Sequence, residues 1–252
     1  MKVLFMSGGA REKALEYLLE KKVPVEAVVT PHLTTQNDRF KGVIWTAVSY
    51  GIPVVPVTKQ NLVQSLQGIS YDAIISCGFP YILDEKILAS ARYAINVHPT
   101  LLPAYRGYRS GPYILINGER QSGVTVHFLT AGMDQGAIIA QKAFDISPFD
   151  TTKSLFRKCR EIEPALLYSV VEGLMAGRCD AHPQKEEQAS VYSHVRTPED
   201  SRIDWNRPLK DLYNEIRACD PEDYPAYFFV DGQQVCIKLW RSEKPKDDGD
   251  MI

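Results

Sequence analysis

The chain has 252 residues, 44% hydrophobic and 24% charged, an ordinary globular composition that supports one large domain or a domain with an appendage. A formal net charge of −2 supplies no overall positive field for a polyanion, so a small substrate is expected and no nucleic acid. Five scattered cysteines without a CxxC pair fit neither a disulfide framework nor a zinc site, residues 1–6 are too short an apolar run for a secretory leader, and no stretch approaches the roughly 20 apolar residues of a membrane span; the expectation is a cytoplasmic protein without metal or membrane partner.

Residues 2–6 read as a buried strand, Ser7-Gly8-Gly9 as a turn and residues 11–22 as a helix with Ala14, Leu15, Leu18 and Leu19 on one face. Apolar runs at 25–29, 53–57 and 72–77, with a helix expected at 61–67, alternate strand and crossover as a parallel, helix-covered sheet requires. These elements predict a Rossmann-like α/β fold, a mostly parallel sheet with helices on both faces. Gly8-Gly9 lacks the spaced third glycine of a dinucleotide fingerprint, so a tight structural turn is favoured over a phosphate cradle.

The next strand, 94–97, delivers Asn96 and His98 at alternate positions, hence on one face. A short helix at 112–117 follows, then strands at 123–129 and 137–144 joined by a loop, 130–136, that carries Asp134. Residues 154–175 have helical apolar spacing, with a break expected at Pro164. Beyond Gly177 the composition turns polar, an amphipathic segment spans 209–218, and 224–240 alternate like a hairpin around Asp231-Gly232, before a charged tail, 244–250, expected to fray. The predicted division is a catalytic domain, 1–179, and a small C-terminal appendage with a helix and a β-hairpin, 180–252.

An amide, an imidazole and a carboxylate at Asn96, His98 and Asp134 suit acyl transfer to an amine. Attack on a formyl carbon builds negative charge on oxygen, to which the Asn96 amide and a protonated His98 can donate; a carboxylate holds the imidazole in one tautomer while it handles the amine's proton. A strand-end Asn or His taken alone is more often a satisfied structural group; the three together with their flanking motifs are not. His127, inside a strand beside the cluster, reads as a supporting or structural group, and His182 and His194 as solvent-exposed.

Asn96-Val97-His98-Pro99-Thr100-Leu101-Leu102-Pro103, followed by Gly123-Val124-Thr125 and Asp134-Gln135-Gly136, resembles the folate-dependent formyltransferases. The likeness is nearest to sugar N-formyltransferases, which share a methionyl-tRNA formyltransferase-like catalytic domain. That resemblance implies catalytic roles for Asn96, His98 and Asp134 and N10-formyltetrahydrofolate as co-substrate. It places the folate against Phe79, Pro80, Tyr81 and Leu83 and the loop residues Gly132 and Met133, mainly through backbone groups; Phe79, Tyr81 and Leu83 serve equally well as loop anchors.

The Tyr105-Arg106-Gly107 stretch borders the acceptor site in such enzymes, and Arg106 with Arg109 could hold an acidic group bidentately, surface salt bridges being the alternative. Tyr224 and Tyr227, with Trp205, could stack on a nucleobase or simply pack. Against a methionyl-tRNA acceptor stand the net charge and a chain expected to lack the further C-terminal domain of those enzymes. The favoured acceptor is a nucleotide-linked amino deoxysugar of a surface-polysaccharide pathway, acted on by a possible homodimer. A methionyl-tRNA formyltransferase-like enzyme and a formyltetrahydrofolate hydrolase are the alternatives.

Overall fold

The computed structural model describes every residue except 36, 37, 108, 109, 195, 221, 223, 247 and 248. Five apolar runs form parallel-paired strands: β1 (Val3–Met6), β2 (Val25–Pro31), β3 (Val54–Val57), β4 (Ala73–Cys77) and β5 (Tyr93–His98). Helices α1 (Glu12–Glu20), α2 (Lys41–Ser49), α3 (Leu62–Ser65) and α4 (Glu85–Ala89) connect them. After helix α5 (Gly111–Ile116), strands β6 (Gln121–Phe128) and β7 (Ile138–Asp145) complete a seven-stranded sheet in the order β3-β2-β1-β4-β5-β6-β7. Every residue of β1 and β4 is buried, which is why these central strands read as continuous apolar runs and not as alternating ones.

Helix α1 buries Ala14, Leu15 and Leu18, as its spacing predicts. Helix α2 has no such signature, because Val43 and Ala47 are buried while Trp45 and Val48 stay exposed, so apolar residues on all sides hide the period. Helix α4 is five residues long, and its one sequence signal is Asp84, whose carboxylate accepts a hydrogen bond from the Ile87 amide at 2.9 Å.

The break expected at Pro164 does not occur: helix α6 (Thr152–Met175) runs through it for 24 residues. Leu155 before the proline and Leu167, Val170, Val171 and Leu174 after it are all buried, and this burial outweighs the one backbone hydrogen bond the ring removes. The C-terminal region contributes α7 (Leu209–Ala218) and the antiparallel hairpin β8 (Ala226–Val230) and β9 (Gln233–Ile237). Its turn residues Asp231 and Gly232 take φ of 48° and 76°, the pairing of positive angles that a two-residue hairpin turn needs. The tail is not wholly frayed, since Asp250 is 2% exposed, accepts from Ser147 Oγ at 3.2 Å and pairs with Arg241 at 3.4 Å.

Two compact units result. One comprises Met1–His98, Val124–Lys142 and Arg160–Glu187, the other Pro99–Gly123, Ala143–Cys159 and Gln188–Ile252. The strands β6 and β7 and the helix α6 each run from one unit into the other, so the chain enters the second unit three times. The first unit has a core around Leu4, Met6, Val29, Ile74 and Ile87; the second has one around Tyr105, Ile114, Leu115 and Leu155 and another around Ile203, Leu212, Ile216 and Ala226. Among the described residues no helix is long and apolar enough to cross a membrane.

Candidate active site

The site begins with strand pairing. Strand β5 changes the direction of the sheet by pairing antiparallel with β6, and the register sets Asn96 opposite His127 and His98 opposite Thr125. Directly opposed residues share a face, so two neighbouring strands deliver an amide and two imidazoles to one place. Asn96 Nδ2 lies 3.1 Å from His127 Nε2, and His127 Nδ1 lies 2.8 Å from the Phe128 carbonyl. A carbonyl can only accept, so Nδ1 carries the proton and Nε2 offers its lone pair to the amide hydrogens of Asn96. His127 is 1% exposed and His98 5%, so both rings stand in surroundings where polar contacts are little weakened by water.

Asp134 arrives from the loop between β6 and β7. Its Oδ2 is 3.4 Å from His98 Nδ1, and its Oδ1 is 3.4 Å from Asn96 Nδ2 and 3.5 Å from His127 Nε2. The loop is held in an unusual conformation, with Asp134 at φ 54°, a left-handed angle that costs a non-glycine residue about 1 kcal/mol or more. Two features maintain it. Gly136 sits so close to the Phe128 carbonyl that no side chain would fit there, and Gln184 Nε2 donates to the carbonyls of Asp134 and Gly136 at 2.7 and 2.8 Å. The three residues predicted as a catalytic set are therefore brought together, with His127 and Gln184 as added members. His127 could be found from the strand pattern; Gln184, 50 residues from Asp134, has no local sequence signal.

The donor-side positions divide. Leu83 is 5% exposed within the core of the first unit and is the loop anchor that the sequence allowed. Phe79, Tyr81 and Gly132 are half-buried, the two rings edge to face at 5.3 Å, and Pro80 and Met133 are exposed. Cys77, at the end of β4, is fully buried; burial pushes its thiol up and, with the nearby Glu163 charge, makes it a poor nucleophile.

In the second unit, Tyr105 adopts φ 61° and its ring stacks on Tyr192 at 5.3 Å and 8°, while Tyr192 also stacks on Tyr113 at 4.4 Å. Tyr105 donates its phenolic hydrogen to Glu119 Oε1 at 2.6 Å, and Asn117 Nδ2 donates to the hydroxyls of Tyr105 at 3.1 Å and Tyr192 at 2.7 Å. Burial, and then the bond to Glu119, push the Tyr105 phenol up, so it remains a donor throughout the physiological range. Arg106 is 1% exposed, which corrects the alternative of a surface salt bridge; its backbone exchanges hydrogen bonds with Ser190 and Tyr192 at 2.9 Å each. Arg109 lies outside the described residues. Tyr227 is buried on β8 against Phe229 at 5.7 Å, the packing role, whereas Tyr224 pairs through its backbone with Asp220. Trp205 stays 58% exposed, stacked on Phe228 at 5.6 Å beside an open pocket of about 400 Å3 that Arg202 and Phe229 also line. Among the described residues no group of three acidic, histidine or cysteine side chains is arranged to hold a metal ion.

Comparison with known proteins agrees with this geometry. Residues 3–171 match the family described as Formyl transferase, and residues 196–251 match Formyl transferase, C-terminal domain. A methionyl-tRNA formyltransferase of Streptococcus agalactiae serotype III is 32% identical over 249 residues, 93% of this chain and 78% of that protein. A solved 4-N formyltransferase from Francisella tularensis superposes with a TM-score of 0.78 at 19% identity, covering 96% of this chain and 98% of the other. An N-formyltransferase from Helicobacter canadensis, solved with folinic acid and dTDP-3-aminofucose, superposes with a TM-score of 0.73 at 20% identity over 92% and 84% of the two chains. The chain belongs to the formyl transferase family and is a formyltransferase. The match at 196–251 also corrects the expectation that the C-terminal domain is missing, so its supposed absence no longer weighs against a tRNA acceptor.

Proposed function

We propose that this enzyme moves a formyl group from N10-formyltetrahydrofolate to the amine of a nucleotide-linked amino deoxysugar. The observation that carries the chemistry is the meeting of a buried His98 with the half-buried Asn96 and Asp134 in one cluster. The neutral amine attacks the formyl carbon, and the carbonyl oxygen takes the negative charge. Asn96 bonds His127 at 3.1 Å, whereas its contact with Asp134 is 3.4 Å, so the amide hydrogen facing Asp134 is the one readily exchanged for a developing oxyanion. His98, its Nδ1 facing Asp134, accepts the proton shed by the amine and returns it to N10 as the carbon–nitrogen bond breaks and tetrahydrofolate leaves. No electrons need be supplied, because the formyl group keeps its oxidation state.

The folate is assigned to the backbone of residues 79–81 and to Gly132 and Met133. Tyr105, Arg106 and Gly107 are assigned to the acceptor, with Arg109 and Tyr224 as further contacts; Tyr227, buried by packing, has the weakest claim. Support for a sugar acceptor comes from the Francisella and Helicobacter structures, which match this chain over most of its length, and from the net charge of −2. A methionyl-tRNA acceptor is the second reading, favoured by the 32% identical Streptococcus enzyme and by the match at 196–251. The reading also places the enzyme in the cytoplasm, as a homodimer serving surface-polysaccharide assembly.

Incubating the protein with N10-formyltetrahydrofolate and, separately, a panel of dTDP-, GDP- and UDP-linked amino sugars and methionyl-tRNA decides the matter by product mass. A formylated sugar nucleotide is the expected result. Formylated methionyl-tRNA alone would support the second reading, and formate released without any acceptor would identify a hydrolase.

A further inference from the structure

We infer that the buried Arg11–Glu163 ion pair is a positioning device for the donor segment at 78–81, so that Arg11 governs folate affinity without touching the reacting atoms. This rests on the proposed assignment of that segment to the folate. Arg11 stands just ahead of α1, and Glu163 lies on α6 immediately before Pro164. Arg11 Nε is 2.9 Å from Glu163 Oε2, with side chains 12% and 1% exposed. A pair this deep contributes little net stability, because desolvation cancels most of the attraction, and apolar replacements of similar size are often as stable. The present pair is also incompletely satisfied: among the described residues the second Glu163 oxygen accepts no hydrogen bond. Burial pushes the Glu163 carboxyl up, while the Arg11 and Arg160 charges pull it down. A costly and unfinished pair points to a use other than holding the fold together.

Its surroundings indicate the use. The turn after β1 and the turn after β4 interlock: Ser7 Oγ donates to the Cys77 carbonyl at 2.9 Å, Gly8 N–H donates to the Gly78 carbonyl at 3.1 Å, and a side chain on Gly8 would lie 2.6 Å from Pro80 Cδ. Gly78 has φ 71°, and the Arg11 guanidinium lies 3.8 Å from the place its missing Cβ would take. Arg11 Nη1 also donates to the Ala10 carbonyl at 3.1 Å. The guanidinium thus caps Gly78 from one side while Glu163 fixes the guanidinium from the other. Phe79 and Tyr81 begin one residue beyond this cap, so a shift at Gly78 passes directly into the donor segment.

The test titrates folinic acid calorimetrically into the wild-type protein, Arg11→Met, Arg11→Lys, Glu163→Gln and the double variant Arg11→Met with Glu163→Met, beside thermal melts of each. Arg11→Met is expected to weaken folinic acid binding at least about tenfold, with acceptor KM unchanged and turnover at saturating donor within about twofold. The double variant is expected to regain the melting temperature lost by the single one while its folinic acid affinity stays low, and Arg11→Lys to recover part of that affinity. Recovery of both properties in the double variant would show a purely structural pair and overturn the inference, as would wild-type affinity in a folded Arg11→Met protein. Should the wild-type protein itself fail to bind folinic acid, the folate assignment falls first and takes the inference with it.

Discussion

Two polar clusters in this chain are built to opposite tolerances. Around Tyr105 the key side-chain bonds are short, with Tyr105 to Glu119 at 2.6 Å and Asn117 to Tyr192 at 2.7 Å, and the rings are stacked on one another. Around Asp134 the separations are long, at 3.4 Å to both His98 and Asn96 and 3.5 Å to His127. A network of stacked rings and mutual hydrogen bonds is rigid and holds its members in one arrangement. A cluster held together at stretched distances by loop, strand register and a distant glutamine keeps its donors and acceptors exchangeable, as acid–base groups often are before substrate tightens them.

Conservative substitutions can break this contrast. The largest effect is expected from His98→Asn or Asp134→Asn, which should lower turnover at least about 100-fold. Thermal unfolding should move far less than turnover, because both replacements are polar and no larger than the residues they replace. Near-normal turnover in either variant would end the assignment of the site. Next comes Gly136→Ala, whose methyl group must displace the Phe128 carbonyl; an unfolding loss of about 1 to 3 kcal/mol is expected in denaturant titration, with reduced turnover as Asp134 shifts.

Tyr105→Phe should show the reverse balance, losing about 1 kcal/mol of stability while turnover stays within about threefold. Loss of turnover comparable to that of His98→Asn would place the tyrosine cluster in the chemistry. The smallest effect is one of slope. Because burial raises the Glu163 carboxyl above the ordinary value of 4.5, the folded state binds its proton more tightly than the unfolded chain does. Its contribution is therefore most favourable below that value and is lost as pH rises through the folded-state pKa. Melting temperatures measured across that window should fall less steeply in Glu163→Gln than in the wild-type protein; equal slopes would mean that Glu163 titrates normally.

What could be read from the sequence follows from range. The strands at 3–6 and 73–77 announce themselves because both faces are buried, and the hairpin because Asp231-Gly232 accepts the angles a tight turn demands. Asn96, His98 and Asp134 are legible as a motif. The pairing that sets His127 against Asn96 depends on the antiparallel register of β6, and the tether from Gln184 on a segment far along the chain; neither is a local property. The burial of Arg106 was hidden for the same reason, since the partner backbone at Ser190 and Tyr192 lies more than eighty positions downstream. Pro164 misled because intrinsic preference favours a break and packing on both sides of the ring overrides it.

Gln184 carries a practical consequence for anyone dissecting this enzyme. A fragment ending at residue 179 would contain Asn96, His98 and Asp134 and look complete on paper. It would nevertheless lose Gln184, whose amide clasps the Asp134 and Gly136 carbonyls, and His182, whose backbone exchanges hydrogen bonds with Ile138 at 2.8 and 2.9 Å. Without that returning strap the strained aspartate would lose the two hydrogen bonds that hold its loop beside the imidazole.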